Sequence, residues 1–169
     1  MTTENAYTPP DRKGWPNGPW DNEPDRAQWV TEAGYAGLIV RAHHGALCGY
    51  VGVPNGHPAY GAKAWGVAVD GGGANVPEMD DLNVHGGLTY GSKCRGAICH
   101  VPEPGMPDDV FWHGFDCAHS GDACPGLMAT VSLLSLGFGR RDHGTYRDMA
   151  YVRGEVESLA RQFEAMVAA

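Results

Sequence analysis

The sequence predicts an α+β fold: a single domain whose mostly antiparallel sheet, laid out as a meander, is covered by a long C-terminal helix. Three observations carry that expectation. Short apolar runs separated by glycine-containing turns fill the middle of the chain, the connections between them are too short for parallel crossovers, and an apolar stripe at helical spacing closes the sequence. With 169 residues, 43% of them apolar and 19% charged, the chain can build one core and is too hydrophobic for wholesale disorder.

Residues 1–25 contain Pro9, Pro10, Pro16, Pro19 and Pro24 together with Trp15 and Trp20. So many prolines exclude a helix interior, and the two indoles give this N-terminal arm a reason to strap across the domain formed by 26–169. Within that domain, 28–32 and 36–41 read as strands about a small-residue turn. The run 47–53 follows across His43-His44-Gly45, a plausible hairpin connection. A Gly-rich insertion then covers 54–81, with one short strand expected at 65–69. Its Gly71-Gly72-Gly73 is not followed by Gly-Lys-Ser/Thr, so it is no phosphate loop and no nucleotide cofactor is expected.

The segment 82–90 alternates with period two, Leu82, Val84, Leu88 and Tyr90 on one side and Asn83, His85 and Thr89 on the other, which predicts a strand. Runs at 97–101 and 110–116 predict a further pair, joined by a loop with Pro102, Pro104 and Pro107. Residues 127–136 fit either a short helix or a buried strand. From Tyr146 through Met149, Ala150, Arg153, Val156, Leu159, Ala160, Phe163, Met166 and Val167 the spacing is helical, with Thr145 and Asp148 resembling a capping start. Gly154 inside that helix costs about 1 kcal/mol relative to Ala, which a buried stripe absorbs.

Charge narrows the partners. Twelve Lys and Arg against twenty Asp and Glu give −8, and the basic pairs are only Arg12-Lys13 and Arg140-Arg141. That argues against DNA, since a phosphate-backbone binder needs a concentrated basic surface. No run reaches the length of a membrane span and the first residues lack a signal h-region, so a cytoplasmic protein is expected. Cys48, Cys94, Cys99, Cys117 and Cys124 are accordingly read as reduced thiols, mostly buried.

Reactive side chains concentrate in two blocks, around His85 with Thr89 and Tyr90, and from Asp116 through Cys117 and His119 to Asp122. Asp116, His119 and Asp122 lie three residues apart, a gap of about 10 Å if extended, so they converge only if the chain curls. Curled, Asp116, His119 and Asp122 can ligate a divalent metal with His85 completing the set. Imidazole and carboxylate suit zinc, manganese or iron, and such an ion activates water. Each residue also has a plain structural role open to it in turns and strand ends. The rival chemistry makes Cys117 a nucleophile with His85 or His119 as base, although a buried inert thiol fits better. Lipase, zinc-deaminase and metalloprotease patterns are absent.

The blocks Leu47-Cys48-Gly49-Tyr50-Val51-Gly52-Val53-Pro54, Val84-His85-Gly86-Gly87-Leu88-Thr89-Tyr90, Cys99-His100-Val101-Pro102 and Gly114-Phe115-Asp116-Cys117-Ala118-His119-Ser120-Gly121-Asp122 resemble those of a family of small bacteriophage and prophage proteins. The resemblance runs over about 38–165 and implies a phage accessory protein in the host-cell cytoplasm, with no established reaction.

Three functions are compatible with these observations. The first is a metal-assisted hydrolase of a phosphorylated or nucleotide-like small molecule, with His85, Asp116 and His119 catalytic, Thr89, Tyr90 and Cys117 near substrate, and zinc or manganese as the cofactor. The second is a non-catalytic binding protein that sequesters a small-molecule ligand or inhibits a host protein, and the third is a minor virion component. A homo-oligomer is compatible with all three.

Overall fold

The computed structural model describes residues 7–69, 73–134 and 144–168; the basic pair Arg140-Arg141, His143, Gly71, Gly72 and the end of the 127–136 segment lie outside them. Among the described residues, seven strands and two α-helices follow in chain order: β1 (Arg26–Val30), β2 (Ala36–Arg41), β3 (Leu47–Pro54), β4 (Ala62–Lys63), β5 (Ala74–Asn75), β6 (Tyr90–Lys93), β7 (Val110–Asp116), α1 (Pro125–Leu134) and α2 (Met149–Ala168). Five strands form one antiparallel sheet in the order β1-β2-β3-β7-β6, and α2 packs on it. Tight turns make β1-β2-β3 a meander, with Thr31 N–H bonded to Tyr35 and Ala42 N–H to Ala46. The chain then returns so that Val51 pairs with His113 and Gly91 pairs with His113 from the other side. No described helix is long and apolar enough to cross a membrane.

Several local expectations change. Residues 82–89 are a loop, because Gly86 and Gly87 adopt left-handed backbone (φ 66° and 83°) in the middle of the alternation. Gly87 N–H closes a turn onto Val84, and the ladder starts only at Tyr90. The alternation still reports burial: Val84 is inside and Leu82 and Leu88 pack against the same core. The run 97–101 is no strand either. A bridge between Arg95 and Ile98 folds this segment back and brings the Cys94 and Cys99 Cα atoms to 4.6 Å, where they form a disulfide. That corrects the reduced reading for this pair, whereas Cys48, Cys117 and Cys124 are free and buried. The insertion's extra pairing is β4 with β5, not a strand at 65–69. Residues 125–134 are helical. Asp148, not Thr145, caps α2: its Oδ1 accepts the Tyr151 N–H at 2.8 Å, while Thr145 bridges to Asp122.

Both faces of the sheet are covered, which is why β2 and β3 read as nearly unbroken apolar runs. On one face Ile39, Leu47, Val51, Val53, Phe111 and Phe115 meet Val152, Val156, Leu159, Ala160 and Phe163 of α2. On the other, Leu38, Val40, Cys48, Tyr50 and Trp112 lie under Tyr7, Ala97 and Ile98. The N-terminal segment is held by Trp20, which is buried and donates its indole N–H to the Pro16 carbonyl.

A fully buried guanidinium fastens these layers together. Arg41 Nε donates to Asp25 at 2.7 Å, and its Nη2 donates to Glu23 at 3.0 Å. Its Nη1 reaches the Gly45 carbonyl at 3.0 Å and the Tyr146 hydroxyl oxygen at 2.7 Å. Arg12 adds a second ion pair to Asp25. Burial works against the charge, but the bonds to Tyr146, Glu23 and Asp25 raise the Arg41 pKa above its ordinary value. Arg41→Ala strips two carboxylates of their buried partner, so a loss of roughly 3–5 kcal/mol is expected in urea melts; a loss under 1 kcal/mol would show that the network is ornamental.

Two histidines serve the core rather than chemistry. His57 accepts the Ala59 N–H at Nδ1 and donates from Nε2 to the Phe163 carbonyl, pinning the loop after β3 to α2. His113, buried in β7, donates from Nε2 to the Ala59 carbonyl at 2.8 Å. Burial lowers the His113 pKa to about 4, against a partial offset from that bond. The unfolded chain therefore takes up a proton that the folded chain refuses as pH falls below about 6.5. Acidification from 6.5 to 4 should remove about 3 kcal/mol of stability through this group. The loss, read as urea midpoints across that range, should shrink in His113→Gln; an identical pH slope in both proteins would disprove the assignment.

Candidate metal centre

The site forms where β7 ends. Asp116 is its last residue, and its Oδ1 accepts the Ala118 N–H at 3.0 Å, curling the chain out of the sheet. The curl then closes on itself. Asp122 N–H bonds the His119 carbonyl at 2.9 Å, and His119 N–H returns to Asp122 Oδ2 at 3.1 Å. Bonds from Thr145 N–H to Gly121 and from Ala123 N–H to Thr145 clip this turn to the segment before α2. His85 arrives from the glycine loop ahead of β6, its backbone N–H held by Glu155 Oε2 at 2.7 Å.

Among the described residues, His85, His119 and Asp122 form a group whose ligand atoms all lie within 4.8 Å of one another. His85 Nε2 is 2.7 Å from Asp122 Oδ2, and His85 Nδ1 is 2.9 Å from the Tyr151 hydroxyl. A carboxylate only accepts, so Nε2 carries the proton toward Asp122, and in the neutral ring Nδ1 accepts from Tyr151. His119 Nδ1 is different: it is buried, has no hydrogen-bond partner, and stands 3.7 Å from Asp122 Oδ2. Ligands bound at about 2.0–2.2 Å to one ion sit about 3–4 Å apart. His119 Nδ1 and Asp122 Oδ2 have that spacing, whereas His85 Nε2 and Asp122 Oδ2 are at hydrogen-bond distance and would move apart to share an ion. An ion there would take the place of the proton between His85 and Asp122.

The electrostatics favour an ionised Asp122, whose side chain is 2% exposed. Burial pushes its pKa up, but bonds from His85, from Arg147 Nε at 3.1 Å and from the His119 N–H outweigh it and hold the carboxyl below its usual range. The Arg147 guanidinium also lies over the Tyr151 ring, 4.8 Å from its centre. His119 is a third exposed and is the solvent-facing member of the group.

The other expected site residues take different places. Asp116 stands beside the trio, 3.8 Å from His119 Nδ1, with Oδ2 accepting from the Thr89 hydroxyl at 2.9 Å. Thr89 therefore orients Asp116. Tyr90 packs edge-on against Tyr50, in the cluster on the sheet face away from α2. Cys117 is buried in the helix-side core, and burial, joined by the charge of Asp122, pushes its thiol pKa well up, which works against a thiolate nucleophile. Sequence reasoning missed Arg147, Tyr151 and Glu155. The signal was the four-residue spacing of Tyr151 and Glu155 beside the apolar stripe of α2, with Arg147 just ahead of its first residue.

Compared with known proteins, the chain matches no family model, no curated protein and no solved structure.

Gly86 makes the convergence sterically feasible. Its φ is 66°, and a Cβ there would overlap the His119 ring. Gly86→Ala should therefore cost about 1–3 kcal/mol and shift the His119 imidazole resonances in NMR spectra. A wild-type urea midpoint with unmoved His119 signals would mean that the ring is not packed on this glycine.

Proposed function

We propose that this protein is a metal-dependent hydrolase of a phosphorylated or nucleotide-like small molecule, acting as a phage-type accessory protein in the host cytoplasm. One observation carries the reading: two imidazoles and an ionised carboxylate converge at a strand end, with a ligand-competent ring nitrogen unpaired. Three protein ligands are the number used by catalytic zinc sites, which leave a position for water. Closed structural sites use four. The nitrogen-rich donor set fits zinc, and manganese is the second choice.

The roles follow from position. His85, His119 and Asp122 would hold the ion, and the chemistry it would supply there is activation of a water for hydrolysis. Asp116, a third exposed and oriented by Thr89, would serve as the proton acceptor beside the ion. Arg147 supports an anionic substrate: Nε is committed to Asp122, and the side chain remains a third exposed as fixed positive charge at the rim.

Metal content of the purified protein and turnover on a panel of nucleotides and sugar phosphates test this directly. His85→Ala and His119→Ala should lose stoichiometric metal and lower turnover at least 100-fold while remaining folded, and chelation should do the same to the parent protein. Full turnover in either variant, or in chelated protein, would refute the hydrolytic role of the site.

A further inference from the structure

Tyr151 and Glu155 lie four residues apart on the first turns of α2 and share one face, and Arg147 sits just ahead of the helix start. All three hold members of the trio. Arg147 holds Asp122 Oδ1, Tyr151 meets His85 Nδ1, and Glu155 holds the His85 backbone N–H. Asp122 thus keeps Oδ2 for the site, and His85 is fixed at both its backbone and the far side of its ring. Metal-bound histidines ordinarily donate their second ring N–H to such a partner, which fixes tautomer and ring orientation.

The partner here is a hydroxyl, and that choice has a consequence. With His85 Nε2–H donating to Asp122, Nδ1 needs a donor, and the Tyr151 hydroxyl is one. With Nε2 bound to an ion, the ring proton resides on Nδ1, which then needs an acceptor. The same hydroxyl oxygen accepts after a rotation of its proton. A carboxylate at this place would serve only the second state, and a phenylalanine neither.

We infer that Tyr151 is a positioning residue that lets His85 exchange ring tautomers, so that the centre can hold its shape metal-free and still take up a divalent ion. This rests on the metal reading above and adds the residue that controls loading. The two arrangements differ in which ring nitrogen carries the proton, Nε2 facing Asp122 or Nδ1 facing Tyr151.

Cobalt(II) titration followed by visible absorption tests the inference on the full chain, with zinc competition to set the affinity scale. Tyr151→Phe, which removes the partner of Nδ1 in both states, should need 10–100 times more cobalt for half-saturation than the parent and should also lower the thermal midpoint of the metal-free protein. Tyr151→Gln, whose amide both donates and accepts, should recover part of that loss. Nitrogen-15 spectra of His85 give a readout that mere packing would not move: the proton should be on Nε2 without metal and on Nδ1 with zinc. Cobalt binding of equal strength in Tyr151→Phe overturns the role of Tyr151 alone, as does a His85 proton that stays on Nε2 in the zinc-loaded parent. No cobalt binding by the parent protein overturns the metal reading itself, and this inference with it. If Tyr151→Phe fails to fold, the His85 spectra of the parent decide.

Discussion

The buried guanidinium of Arg41 is the constraint on which the remaining arrangement turns. An ion of this kind is tolerated inside a protein only when its donors are met, and here they reach three separate stretches of chain. Glu23 and Asp25 come from the N-terminal segment, the Gly45 carbonyl from the hairpin after β2, and Tyr146 from the approach to α2. Glu23 does more than balance charge. Its Oε1 accepts the backbone N–H of Met149, the first residue of α2, and its Oε2 accepts from the Tyr146 hydroxyl at 2.5 Å. One carboxylate therefore neutralises the core cation and satisfies an otherwise orphaned donor at the helix start, where the dipole favours negative charge.

That clamp is also what aims the site. Tyr146 is fixed by Arg41; its neighbour Thr145 is laddered to Gly121 and Ala123, and its other neighbour Arg147 grips Asp122. Within three residues the chain passes from the centre of the ion-pair network to the carboxylate of the candidate centre. The start of α2 is thereby set in direction, which places Tyr151 and Glu155 against His85 one and two turns later. Support for a functional group from rigid elements on several sides is what a precise constellation needs. The sequence distance between Arg41 and His85 hides this connection.

The sheet was largely readable in advance because its cause is local. Short apolar runs and turn glycines place β1, β2, β3 and β7 within two residues, and the helical spacing of Val156, Leu159, Ala160 and Phe163 locates α2 and its buried face, which Val152 completes. Failures fall where backbone chemistry overrides side-chain pattern. In 82–89 the period of two is real, yet two left-handed glycines turn the backbone, so the pattern marks which side chains are buried rather than a ladder. The Cys94–Cys99 pairing depends on the tight reversal at Arg95 and Ile98, and no composition argument reveals it. For the candidate site, the block from Asp116 to Asp122 and the isolated His85 were legible as reactive residues. The curl that selects His119 and Asp122, and leaves Asp116 at the side, was not, because it depends on hydrogen bonds to Thr145 some twenty residues further on.

The energetics of His119 give the strongest reason to treat this corner as more than a well-bonded turn. Every other polar contact there is met: Asp122 has donors on both oxygens, His85 has partners on both ring nitrogens, and Asp116 is tied to Thr89 and Ala118. His119 Nδ1 alone is buried and unpaired among them, at a cost of about 1–3 kcal/mol. A ring rotation that relieved it would have to contend with Gly86, which packs directly against the imidazole and leaves no room even for a methyl group. A residue held at that cost, in contact with a loop whose left-handed glycines are themselves specialised, is poorly explained by turn formation, since the turn uses only the backbone of His119. A cation on that nitrogen would remove the penalty and would use the same oxygen of Asp122 that the turn already orients.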